Sequence, residues 1–194
     1  YFGANAYVIT CASSKTSIAL AFTVQQRGGK KTIGMTSEKN MEFCQSLGCY
    51  DEIITYDQAQ TLDKNESIMI VDMAGNFPAM QDLHEHFQDN VKYSCSVGAT
   101  HQAEQKDFNV GDMSSFPGAK PTFFFAPTQA QKRTEEWGPG EVQKRIGLSL
   151  IDFQQYSHQW MSITRGHGIE AIEDNFTKVV QDKIAPTEGL ILSV

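Results

Sequence analysis

The amino-acid sequence predicts an α/β protein: a doubly wound parallel sheet of six strands in the order 3-2-1-4-5-6, with a C-terminal helical extension and a final strand. Three observations lead there. Short apolar, β-branched runs alternate with helix-length stretches, as strands and crossover helices do in a parallel sheet. The first run, Ala6-Tyr7-Val8-Ile9, passes through the small polar cluster from Cys11 to Ser17 into Ile18, Ala19, Ala21 and Phe22 at helical spacing. Later runs close on Gly75, Gly98 or Pro127, the turn residues expected at a strand's carboxyl end.

Each element has a local cause. Gly28-Gly29 ends the first helix, and Lys31-Thr32-Ile33-Gly34-Met35 forms the second strand. Thr36-Ser37-Glu38-Lys39-Asn40 caps a helix that runs to about Leu47, where Gly48 stops it. Glu52-Ile53-Ile54-Thr55-Tyr56 is a short third strand, and Ser67-Ile68-Met69-Ile70-Val71-Asp72 a central fourth. A helix starts near Pro78, a position its ring tolerates. Lys92-Tyr93-Ser94-Cys95-Ser96-Val97 is the fifth strand. Thr122-Phe123-Phe124-Phe125-Ala126 is the sixth, with its phenylalanines in the core. Residues 100–121 form a long irregular connection of the kind that borders sites.

Beyond the turn Trp137-Gly138-Pro139-Gly140, a helix begins near Glu141, weakened by Gly147. A last helix carries Ile169, Ile172, Phe176, Val179, Val180 and Ile184 on one apolar face. The strand at 189–194 is expected outside the main sheet, either loosely held or paired with the same strand of another copy, the second alternative giving a homodimer. The division is a Rossmann-like dinucleotide-binding domain at 1–140 and C-terminal helices and strand at 141–194.

The 194 residues suffice for one sizeable domain with an appendage. A net charge of -7 argues against a nucleic-acid partner, which needs a basic face. No apolar run approaches the roughly 18 residues of a membrane span, and the start lacks a signal peptide's pattern. Cys11, Cys44, Cys49 and Cys95 lack metal or redox spacing, so free thiols of a cytoplasmic protein are expected. His84 and His86 are two apart on a helix and point to different sides, so no metal is expected there; a solvated acidic helix accounts for them.

The candidate chemistry lies at the strand ends. Ser13, Ser14, Lys15, Thr16 and Ser17 offer hydroxyls and a cation to a phosphate at a helix N-terminus, although the glycines of G-x-G-x-x-G are missing. The same residues also fit a solvated turn whose Ser or Thr caps the helix. At the tip of the second strand an acidic residue would suit NAD and a cation the 2′-phosphate of NADP. Thr36 and Ser37 stand there, followed by Lys39, which favours NADP over NAD. Glu38 opposes it.

In order and spacing the strand ends resemble the nucleotide-binding half of the medium-chain dehydrogenase/reductase superfamily, near its zinc-free, quinone-reductase-like branch. The similarity covers residues 7–127. It runs through Val8-Ile9-Thr10-Cys11-Ala12-Ser13-Ser14, Thr32-Ile33-Gly34-Met35-Thr36-Ser37, Gln45-Ser46-Leu47-Gly48, Ile53-Ile54-Thr55-Tyr56, Val71-Asp72-Met73-Ala74-Gly75-Asn76 and Ser96-Val97-Gly98-Ala99-Thr100. The Ala-Ser-Ser-Lys-Thr turn is further similar to an uncharacterised bacterial and fungal branch, which supplies a fold but no reaction.

The resemblance implies that Tyr56 contacts the 2′-phosphate and that Ala74, Gly75, Val97, Gly98 and Thr100 flank the nicotinamide and its ribose. Lys39 falls one position from where these relatives carry their lysine. The superfamily's barrel-like substrate domain has no counterpart here, so a fragment of a longer protein is expected. The implied function is a zinc-independent NADP-dependent reductase passing hydride to a carbonyl or activated alkene of a small-molecule substrate. No catalytic residue is assigned. The alternative is a degenerate, non-catalytic Rossmann-like protein used for interaction or ligand sensing.

Overall fold

The computed structural model describes residues 2–98 and 114–194. The chain forms two compact units, Tyr1–Lys144 and Arg145–Val194. In the first, β1 (Ala6–Ile9), β2 (Lys31–Thr36), β3 (Glu52–Thr55), β4 (Ile68–Asp72), β5 (Val91–Ser96) and β6 (Thr122–Phe123) make one sheet ordered β3-β2-β1-β4-β5-β6. Every pairing is parallel. Central β1 places Val8 opposite Ile33 of β2 and Ile70 of β4. The order reverses between β1 and β4, and such a switch point opens a crevice at the carboxyl edge.

Apolar residues occur on both sides of these strands because helices cover both faces. Alternation divides them. Ile68 and Ile70 join Val8, Ile33, Met35 and Ile54 in one cluster, while Met69 and Val71 join Ala4 and Cys95 in another. α1 (Lys15–Arg27) and α2 (Met41–Ser46) follow β1 and β2, and α3 (Phe77–Phe87) follows β4. Met80, Leu83 and Phe87 of α3 are buried beneath the first cluster. Each buried side chain of that size contributes about 1.5–3 kcal/mol.

His84 belongs to this core as well. It is 0% exposed, a correction to the solvated helix face expected for it. Its Nδ1 lies 2.8 Å from the Pro117 carbonyl and its Nε2 2.9 Å from Ser94 Oγ. The carbonyl can only accept, so Nδ1 carries the proton and Nε2 accepts from the serine. Burial holds the imidazole below its ordinary value of 6.5. His86 turns away to Gln60 Oε1 and the Leu62 carbonyl.

The sixth strand is also corrected. β6 is two residues long, and Phe123 and Phe125 are 73% and 54% exposed rather than core. The chain leaves the sheet edge there because α4 (Ala126–Trp137) begins at once, with Pro127 in its first turn, where a missing N–H does no harm.

α5 (Glu141–Ser157) runs through Gly147 without a break. In the second unit, β7 (Ser162–His167), α6 (Ile169–Val180) and β8 (Glu188–Ser193) form a β-α-β unit with β7 and β8 parallel, from Ser162 opposite Glu188 to His167 opposite Ser193. The final strand thus lies outside the main sheet as expected, but its partner is β7 of its own chain. The apolar face of α6 is not buried: Ile169, Phe176, Val179 and Val180 are each more than half exposed, and Ile184 lies beyond the helix end. No helix among the described residues is long and apolar enough to cross a membrane.

Candidate functional site

The carboxyl edge gathers the turn after β1, the tip of β2 and the ends of β4 and β5. Its first feature is how the turn closes without glycine. Cys11 takes the left-handed conformation, φ +51°, which costs a residue with a side chain about 1–2 kcal/mol. Neighbouring bonds hold it there. The Cys11 N–H donates to the Tyr56 hydroxyl at 3.0 Å, and the Ser14 N–H to the Cys11 carbonyl at 2.8 Å. The Ala12 N–H donates to the Met35 carbonyl at 2.9 Å, and the Tyr50 hydroxyl to the Ala12 carbonyl at 2.8 Å. Such over-determination is what sustains a strained backbone. Gly34 admits the turn: a Cβ there would lie 2.8 Å from Ala12 Cβ and 2.7 Å from Ile53 Cδ1.

The five turn residues play different parts. Ser14 caps α1, its Oγ accepting the Ser17 N–H at 3.2 Å and lying 2.8 Å from Ser17 Oγ. Ser17 is buried and donates to the Thr10 carbonyl at 3.0 Å. Lys15 and Thr16 are exposed on the first turn of α1. Ser13, half-buried, faces the tip of β2. There the Asn40 side-chain amide donates to Ser13 Oγ at 3.2 Å and to Ser37 Oγ at 3.4 Å. Thr36 is buried, bonded to the Cys44 thiol, and Lys39 is exposed. The structure therefore brings Ser13 and Ser37 to one amide, 27 and 3 residues away in sequence. Asn40 was not among the residues singled out from sequence.

A second cluster fills the switch point. Thr10, 0% exposed, donates its hydroxyl to Asp72 Oδ1 at 2.6 Å and accepts the Met73 N–H at 3.0 Å. Asp72 also accepts the N–H groups of Ala74 and Asn76, at 3.2 and 3.3 Å. This stitches the ends of β1 and β4 together and orients Ala74 and Gly75. On the β5 side the Val97 N–H donates to the Asp72 carbonyl at 2.7 Å. A Cβ on Gly98 would lie 2.3 Å from the Met73 carbonyl oxygen, so only glycine fits. Thr100 lies outside the described residues.

Burial pushes the Tyr56 phenol up to about 12 and the Cys44 and Cys95 thiols up to about 11; Cys11 moves the same way. These groups stay protonated at neutral pH, so none is an activated nucleophile. The described residues contain no cluster of His, Cys, Asp or Glu that could hold a metal.

The fold is that of NADP-linked oxidoreductases. The YhdH oxidoreductase from Salmonella enterica, solved with NADP, aligns with TM-score 0.59 and 12% identity over 98% of this chain and 54% of its own. CurA from Vibrio vulnificus, solved with NADPH, gives 0.63 and 13% over 97% and 56%. The quinone oxidoreductase from Coxiella burnetii gives 0.58 and 12% over 98% and 53%. The chain thus spans about half the length of these structures. Residues 1–185 match the family described as "Protein of unknown function (DUF2855)", and the chain belongs to that family. No curated protein matches it.

Proposed function

We propose that this chain is the NADP(H)-binding half of a zinc-independent reductase of the medium-chain type, acting on a carbonyl or activated alkene. The observation that carries this is the donor set at the tip of β2, where Ser13, Ser37 and Asn40 converge beside Lys39. In the run 36–40 the only carboxylate is Glu38, which is exposed. Hydroxyl, amide and lysine donors fit a 2′-phosphate, whereas NAD recognition calls for an acid accepting from the ribose. Lys15 and Thr16 would face the pyrophosphate from the first turn of α1. The cofactor would supply the hydride; the chain's part is to bind and orient it.

The second unit and the start of α5 are read as the segment that rejoins a substrate domain. Exposed Ile146, Leu150, Ile163, Ile169 and Phe176 support this, as does the half-length match to the solved structures. Calorimetric titration of the chain with NADPH and NADH tests the proposal. Saturable binding with NADPH preferred is expected; no binding of either at millimolar concentration overturns it.

A further inference from the structure

We infer that Asn40 sets the preference for a 2′-phosphorylated dinucleotide, because its one amide group orients the hydroxyls of Ser13 and Ser37 as a pair of donors. This rests on the NADP(H) reading and deepens it. A serine hydroxyl has one proton and two lone pairs. Where a neighbour's N–H already donates to the oxygen, as Asn40 Nδ2 does to both, that proton is turned toward another acceptor. The two serines come from different segments: Ser13 from the turn after β1 and Ser37 from the end of β2. The shared amide bonds to both.

Asn40 is free to act this way. It stands as the N-cap of α2, yet its side chain makes no capping bond. Its backbone N–H donates to the Ser37 carbonyl at 2.9 Å, which fixes the spacing between amide and hydroxyl. The result is a recognition element without formal charge. It offers two donors to an anion and lacks the carboxylate that accepts from an unphosphorylated ribose 2′-hydroxyl. Nothing in residue 40 repels a phosphate, and a carboxylate there would.

The test is calorimetric titration of the parent, Asn40→Ala and Asn40→Asp with NADPH and NADH, with the thermal midpoint of each recorded. In Asn40→Ala the NADPH/NADH affinity ratio is expected to fall about tenfold, the scale of one lost hydrogen bond to a charged group, while NADH affinity holds. In Asn40→Asp the preference is expected to reverse toward NADH, as the new carboxylate repels the phosphate and accepts from the ribose. An equal loss for both cofactors in Asn40→Ala would mean a merely structural part and overturn the inference. So would an unchanged ratio, or a parent that binds both cofactors equally. A parent that binds neither overturns the NADP(H) reading itself, an outcome distinct from the others.

Discussion

Thr10→Val removes one hydroxyl from the switch point while keeping the side chain's shape. The structure shows what that hydroxyl does: it donates to Asp72 Oδ1 at 2.6 Å and accepts the Met73 N–H at 3.0 Å, from a side chain with no exposure. Asp72 would keep the longer bonds from Ala74 and Asn76, so the loss is one hydrogen bond to a buried carboxylate, about 1.5–3 kcal/mol. Met73 is half-buried and its N–H can turn to water, which adds about 0.5–1 kcal/mol. The expected destabilisation is therefore about 2–4 kcal/mol, a large share of the 5–15 kcal/mol typical of a domain. Urea unfolding should show it as a lower midpoint with an unchanged slope. Thr10→Ser keeps the hydroxyl and should lose only about 1 kcal/mol, for one methyl group. If Thr10→Val came within 0.5 kcal/mol of Thr10→Ser, the hydroxyl would not be what joins β1 to β4.

Three further outcomes are expected. Lys15→Ala should weaken dinucleotide affinity by about 1–3 kcal/mol in titration and leave the urea midpoint nearly unchanged, because the residue is exposed at the start of α1. Stability should fall as pH drops below about 6.5: His84 is held neutral by burial, its folded value lies below its unfolded one, and the unfolded chain takes up the proton first. That part of the pH dependence should vanish in His84→Gln, read by thermal unfolding between pH 7 and 5. Gly34→Ala should destabilise by about 1–3 kcal/mol in urea unfolding, since its methyl would press on Ala12 and Ile53.

The sheet was legible in the sequence because β1 and β4 are nearly continuous apolar runs, the mark of central strands covered on both faces, and helix-length stretches separate the shorter runs of β2, β3 and β5. β7 leaves none. Ser162-Ile163-Thr164-Arg165-Gly166-His167 has a single large apolar residue, and five of the six residues are exposed. Pro127 reads equally as the end of a strand or the first turn of a helix, and the structure takes the second. His84 had a signal: it falls four residues after Met80 and three before Phe87 on the buried stripe of α3. Its polar neighbours Glu85 and His86 concealed that. Asn40 had no such signal. Its partner Ser13 lies 27 residues away, and only the pairing of β1 with β2 in register brings the two tips together.

The parallel pairing of β7 with β8 bears on how this chain behaves in solution. Two strands are too few to satisfy a sheet's backbone, and each leaves its outer row of N–H and C=O groups without a strand partner among the described residues. After Glu188, β8 moreover carries the uncharged apolar run Leu190, Ile191 and Leu192. Such an edge templates the addition of further strands, its own kind included. Left uncovered, the β7–β8 ribbon would be a place on this chain where further strands could add.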